Sequence, residues 1–172
     1  MAQAFVSVVK GDIVRQPDCD GVVNAANAQL LRGSGVCGAI YRAAGRELDE
    51  YTSRLGPVPV GGAVATPAFM LPCRHIIHAV GPRYLQDADP PGKLAGSLRR
   101  AIELADGLGI ARLAVPAIST GIYGYPPREA VPILVGVAAG MTATVQNLVE
   151  IRFVVVADDL LDLFQSAIAL TG

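Results

Sequence analysis

Six short runs of this 172-residue chain are apolar at nearly every position, and helix-like stretches lie between them. The runs fall at residues 4–9, 21–24, 63–69, 75–80, 113–118 and 151–157. Strands with one wet face alternate polar and apolar residues, whereas runs such as FVVVA and LAVPAI need cover on both faces. Helical patterns fall at 36–54, 93–108, 127–142 and 158–170. In the second of these, Leu94, Leu98, Ile102 and Ala105 recur at helical spacing, an amphipathic stripe. The last opens on Asp158 and Asp159, which suit a helix N-terminus by capping and by charge. Strands alternating with helices predict an α/β sandwich around a largely parallel central sheet.

The length suits one domain over residues 1–172, able to bury a core without metal or disulfide staples. Pro57-Val58-Pro59 and Asp89-Pro90-Pro91 read as surface turns rather than linkers, and no internal repeat is visible. Residues 130–149 carry no charge and reach the length of a membrane span. Pro132, Gly136, Gly140, Thr142, Thr144, Gln146 and Asn147 interrupt them, so the expectation is a buried helix followed by a loop, with no membrane partner. The opening MAQAFVSVVKGD lacks the basic start and long apolar run of a signal peptide. Fourteen Lys and Arg against fifteen Asp and Glu are scattered, giving no basic face for nucleic acid. Cys19, Cys37 and Cys73 form no CxxC pair, so reduced thiols in a cytoplasmic protein are expected rather than a disulfide or zinc framework. His75 and His78, three apart on a strand, point to opposite faces and read as structural rather than as a metal pair.

Ligands of open parallel sheets sit beyond the carboxyl ends of the strands, where loops enter helices. Two loops occupy that place here: residues 24–38, beginning Asn24-Ala25-Ala26-Asn27, and residues 119–126, reading STGIYGYP. Each combines glycine with small residues before a predicted helix, which lets successive amides face an anion with a helix dipole behind them. Neither loop contains the lysine of a nucleoside triphosphatase loop. Residues 33–38 spell GxGxxG, but Gln29 and Leu31 lie on an excursion that separates them from their strand, which counts against a redox-dinucleotide fold. Glycines that merely make tight turns are the alternative for either loop alone. No carboxylate cluster is placed to hold Mg²⁺. Backbone cradles of this kind suit a diphosphate that is bound but not attacked, as in a nucleotide sugar.

At these residues the chain resembles the macro domain family over nearly its whole length. Gly11-Asp12-Ile13 is similar to the family's GDI, and VVNAAN at residues 22–27 to its IVNAAN. GSGVCGAIYRAAG at residues 33–45 resembles GGGVDGAIHRAAG, and Leu71-Pro72 with His78-Ala79-Val80-Gly81-Pro82 resembles LP…IHTVGP. VPAISTGIYGYP at residues 115–126 is close to FPAISTGVYGYP. The resemblance implies a three-layer α/β/α sandwich with a central mixed, largely parallel sheet. It also implies binding of ADP-ribose and, as in many members, hydrolysis of its esters on acidic side chains or in O-acetyl-ADP-ribose, with no cofactor. Carried over, Asp12 would accept the adenine amine with the Ile13 backbone nearby, although an Asp after glycine also serves as a turn or cap. Asn27 would meet the distal ribose, or else hold its own loop. Gly35, Val36, Ser119, Thr120, Gly121, Ile122 and Tyr123 would hold the diphosphate, Tyr123 also covering the distal ribose.

Three departures from the family pattern bear on function. Cys37 stands where hydrolytic members carry an Asp proposed to position or activate water. An ordinary thiol is mostly protonated at neutral pH and makes a poor carboxylate base, and a nucleophilic thiol would need an activating group that the loop does not supply. Tyr41 replaces a His, which bears on the wall of the distal pocket. Ala157 stands where the family often places an aromatic residue over adenine, and base stacking contributes about 1–3 kcal/mol per base in related settings. Phe164 reads as core. Two functions stand open from the sequence: an ester hydrolase using Asn27 and a placed water, or a reader that binds ADP-ribose without turning it over.

Overall fold

The computed structural model describes residues 2–172. The strands are β1 (Phe5–Lys10), β2 (Gly21–Ala25), β3 (Ala63–Pro67), β4 (His75–Ala79), β5 (Arg112–Val115) and β6 (Glu150–Val155). The helices are α1 (Gly35–Ala44), α2 (Arg46–Thr52), α3 (Pro90–Gly107), α4 (Pro127–Met141) and α5 (Asp158–Ala169). The strands join in the order β1-β6-β5-β2-β4-β3, parallel throughout except for the antiparallel pair β3–β4.

Successive side chains of a strand face opposite ways, and here both ways are buried. Val23, Ile77, Leu113 and Phe153 enter a core with α3, α4 and α5, while their neighbours Val22, Ile76, Ala114 and Val154 enter a second core with α1 and α2. The result is a three-layer α/β/α sandwich. Phe164 packs on Phe153 in the larger core with ring centroids 4.6 Å apart, as the sequence predicts.

Several boundaries differ from expectation for local reasons. The helix expected over 36–54 is broken at Gly45, whose φ of +92° is left-handed; there the Met70 amide bonds to Ala44 O and the Met70 sulfur crowds the glycine. Asp89-Pro90-Pro91 is not a free turn: Asp89 caps α3 by accepting from Gly92 N, and the prolines take the first helical positions. The run expected over 113–118 stops pairing at Val115, because Pro116 has no amide to donate. The uncharged stretch 130–149 is α4 and the turn beyond it, and among the described residues no helix is long and apolar enough to cross a membrane.

Candidate functional site

The residues that follow β1, β2, β4, β5 and β6 line one cleft of about 540 Å³. Two turns form its walls. In the first, Ser34 stands at the N-cap of α1 without a side-chain cap bond, and no acidic residue occupies the first turn. The opening amides of a helix have no intrahelical partner, so those of α1 meet the cleft with the dipole behind them. Gly35 takes φ +57° with open space where a Cβ would stand, so its conformation rather than crowding demands glycine. Gly38 is the opposite case: a Cβ would lie 2.6 Å from the Gly33 carbonyl oxygen, and its absence lets α1 rest on the turn.

The second turn follows β5. The amides of Thr120, Gly124 and Tyr125 close it on Ala117 O, Gly121 O and Ser119 O at 3.2, 3.0 and 2.9 Å. Those of Gly121, Ile122 and Tyr123 take no part in that internal bonding. Ser119 is buried at φ +68°, and among the described residues its Oγ finds no partner. A left-handed, non-glycine residue with an orphaned buried hydroxyl marks a site rather than a plain turn. Among the described lining residues no Lys or Arg occurs, and Asp12 is the one charged side chain. An anion bound here has to be held by main-chain amides.

Every residue expected at a site lines this cleft: Asp12, Ile13, Asn27, Gly35, Val36, Cys37, Ser119, Thr120, Gly121, Ile122 and Tyr123. Strand order separates them, with Asp12 and Ile13 following the edge strand β1 and Asn27 following β2 nearer the other edge. Asp12 Oδ1 accepts from Val14 N at 3.1 Å, and Gln16 Nε2 donates to Asp12 O at 3.0 Å. Gln16 is in turn held by Arg152 on β6, whose paired bonds to Asp18 keep that carboxyl down at about 2. The strand thereby fixes the loop that carries Asp12. Asn27 donates from Nδ2 to Leu31 O at 2.8 Å and accepts at Oδ1 from Leu31 N at 3.0 Å. Its loop-holding role is present, and the residue still faces the cleft.

Cys37 is buried in the cleft wall. Its thiol donates to Leu31 O and accepts from Asn24 Nδ2, both at 3.7 Å. Neither partner can take its proton, so the structure supplies no base for a nucleophilic thiol. Tyr41 does not reach the cleft: it is fully buried, its hydroxyl donating to Leu30 O at 2.6 Å and lying 3.2 Å from Thr52 Oγ1. Its replacement of a His therefore alters the support beneath the 30–31 turn, not the pocket wall. Burial raises the Tyr123 pKa, and the Arg83 charge partly opposes that.

Some lining residues carry no local signal in sequence. Val156, 77% exposed, and Leu160 on α5 border the end near Asp12, and Ala157 does not line the cleft. An aliphatic wall thus stands where the sequence pattern suggests a missing aromatic. Gly81 passes under the second turn, where a Cβ would run into Ser119 Oγ and Ile118. The glycine within Val80-Gly81-Pro82 is the sequence cue to this close approach.

Behind Cys37, Asn24 Nδ2 donates to His78 Nδ1 at 3.1 Å, and His78 Nε2 lies 3.0 Å from Thr66 Oγ1, which bonds to Pro67 O. This order assigns the Nε2-protonated neutral ring. Burial lowers the His78 pKa from 6.5 to about 4. Between those values the unfolded chain binds the proton and the folded chain does not, so stability is full above pH 6.5 and falls as pH drops toward 4. The expected slope approaches about 1.4 kcal/mol per pH unit, one proton's worth. Denaturant titrations from pH 4.5 to 7.5 check it, and His78→Gln flattens the slope. A flat profile in the unaltered chain contradicts the assignment.

The family model described as Macro domain matches residues 23–134. A macro domain-containing protein of Vibrio parahaemolyticus is 38% identical over 168 residues, covering 95% of this chain and 96% of that one. One from Streptomyces coelicolor is 43% identical over 155 residues, covering 87% and 89%. Among solved structures, a mutant Oceanobacillus iheyensis macrodomain with ADPR superposes with TM-score 0.90 at 33% identity, covering 95% of this chain and 91% of that one. The Trypanosoma brucei macrodomain in complex with ADP-ribose gives 0.86 at 28% identity, covering 95% and 68%.

Proposed function

The chain belongs to the macro domain family, and from that premise we propose that it binds ADP-ribose and slowly hydrolyses ADP-ribosyl esters, on acidic protein side chains or as O-acetyl-ADP-ribose. One observation carries the binding: two turns whose unused amides border a single cleft without a basic side chain. The diphosphate sits between the α1 N-terminus and the 121–123 amides. Adenine lies toward Asp12, Val156 and Leu160, and the distal ribose toward Asn27 and Tyr123. Similar solved macrodomains hold ADP-ribose, which supports the same ligand here.

Ester hydrolysis adds water to release ADP-ribose and a carboxylic acid. Asn27, fixed by Leu31, and the ligand's own diphosphate place the water, the diphosphate serving as the proton acceptor that Cys37 cannot be. The thiol's bond to a backbone carbonyl favours a second reading, a binding module without turnover. Calorimetry with ADP-ribose, paired with a release assay on protein mono-ADP-ribosylated at Glu or Asp, separates the two. A one-to-one complex with slow release of ADP-ribose is the expected result. Binding without release leaves the reader, and no binding refutes both.

A further inference from the structure

Beyond Tyr123 the surface sinks into a second hollow of about 370 Å³, lined by Arg83, Leu85, Gln86, Ile122, Tyr123 and Gly124. It shares Ile122 and Tyr123 with the main cleft, so one wall serves both. The segment after β4 is fixed in this place. Tyr84 N donates to Tyr123 O at 2.9 Å, and Asp87 accepts from Arg83 N at 2.7 Å and from its guanidinium at 3.2 and 3.3 Å. Leu85 and Ile122 stand 91% and 85% exposed in the same hollow, two large aliphatic side chains without cover. Grouped exposed apolar residues beside a ligand cleft mark a contact surface.

Resting on the ADP-ribose reading above, we propose that this hollow receives the polypeptide flanking an ADP-ribosylated residue, making a protein-borne ester the preferred substrate over the acetyl ester. Position argues for it, because the hollow begins at the residue assigned to the distal ribose, the sugar that bears the modified group. Size argues for it as well. The volume corresponds to about a dozen water molecules at ~30 Å³ each. An acetyl group leaves most of that space unfilled, whereas a side chain with its flanking backbone matches it. The lining chemistry is that of a peptide site: Leu85 and Ile122 take an apolar side chain, while Arg83 donates to peptide carbonyls and Gln86 both donates and accepts.

The test compares two ligands on two chains. The ligands are free ADP-ribose and a peptide bearing ADP-ribose through a non-hydrolysable linkage with leucine beside the modified position. The chains are the unaltered protein and Leu85→Glu, a change at an exposed site outside the main cleft. The unaltered chain is expected to bind the peptide about 10-fold more tightly than free ADP-ribose, a gain of the size that burial of one leucine gives. Leu85→Glu removes that gain and leaves the free-ligand Kd within about twofold, which also reports that the variant is folded. O-acetyl-ADP-ribose is turned over alike by both chains. Equal affinity of the unaltered chain for peptide and free ligand overturns the proposal alone, as does a gain that survives Leu85→Glu. Failure of the unaltered chain to bind free ADP-ribose overturns the underlying reading and this one with it.

Discussion

Cys37→Asp raises the rate of ADP-ribose release from an ester-linked substrate by about 10²-fold, while the Kd for free ADP-ribose changes little. The thiol faces the cleft but donates its proton to Leu31 O at 3.7 Å, so it cannot accept one from water. A carboxylate in its place becomes a general base, a contribution of roughly 10²–10⁴. Asn24 Nδ2, now 3.7 Å from the sulfur, would donate to the new carboxylate and hold it. The low end of the range is expected because the carboxylate also confronts the Leu31 carbonyl, which the thiol proton now satisfies. Single-turnover release measures the rate and calorimetry the affinity. Cys37→Ser, which restores a neutral donor, is the matched control and stays near the unaltered rate. If Cys37→Asp leaves the rate unchanged while binding persists, the water is placed and deprotonated without help from this position.

The motif-bearing half of the site was legible because it is local in the chain. The amides, the positive-φ glycine and the helix start that form the first wall lie within residues 33–38, and the second wall lies within residues 119–125. Glycines and short polar residues announce such turns directly. The adenine end was not legible in the same way. Val156 and Leu160 become a wall only because α5 folds back against β1 and β6, and the pairing of β6 with β1 places Arg152 where it can hold Gln16 and, through it, the Asp12 loop. Likewise Asn24, His78 and Thr66 come from three neighbouring strands, and their link to Cys37 exists only in the sheet order. The helix break at Gly45 depends on Met70, a residue of the β3–β4 connection. Periodicity carries no information about such a contact, and the apolar pattern continues through the break.

Gly38→Ala lowers ADP-ribose affinity by about 100-fold and lowers the melting temperature, although helix propensity alone predicts the reverse. Alanine in a helix interior is favoured over glycine by about 1 kcal/mol. Here the added Cβ would stand 2.6 Å from the Gly33 carbonyl oxygen, closer than such atoms approach in proteins, and a backbone oxygen cannot swing aside as a side chain can. Helix α1 must then lift from the 33–35 turn. Gly33 itself packs near Cys37 Sγ and Asn27 Nδ2, at 3.4 and 3.8 Å from where its own Cβ would lie, so the shift passes into the Asn27–Leu31 bonds as well as the opening amides of the helix. Binding therefore suffers at the diphosphate and at the distal sugar together. Gly136→Ala on α4 supplies the contrast: a Cβ there meets nothing within 4 Å and the site lies outside the cleft, so stability rises slightly and affinity holds. Should Gly38→Ala instead gain stability and keep its affinity, the first turn is not a rigid half of the cradle. The anion would then depend on the 121–123 amides alone.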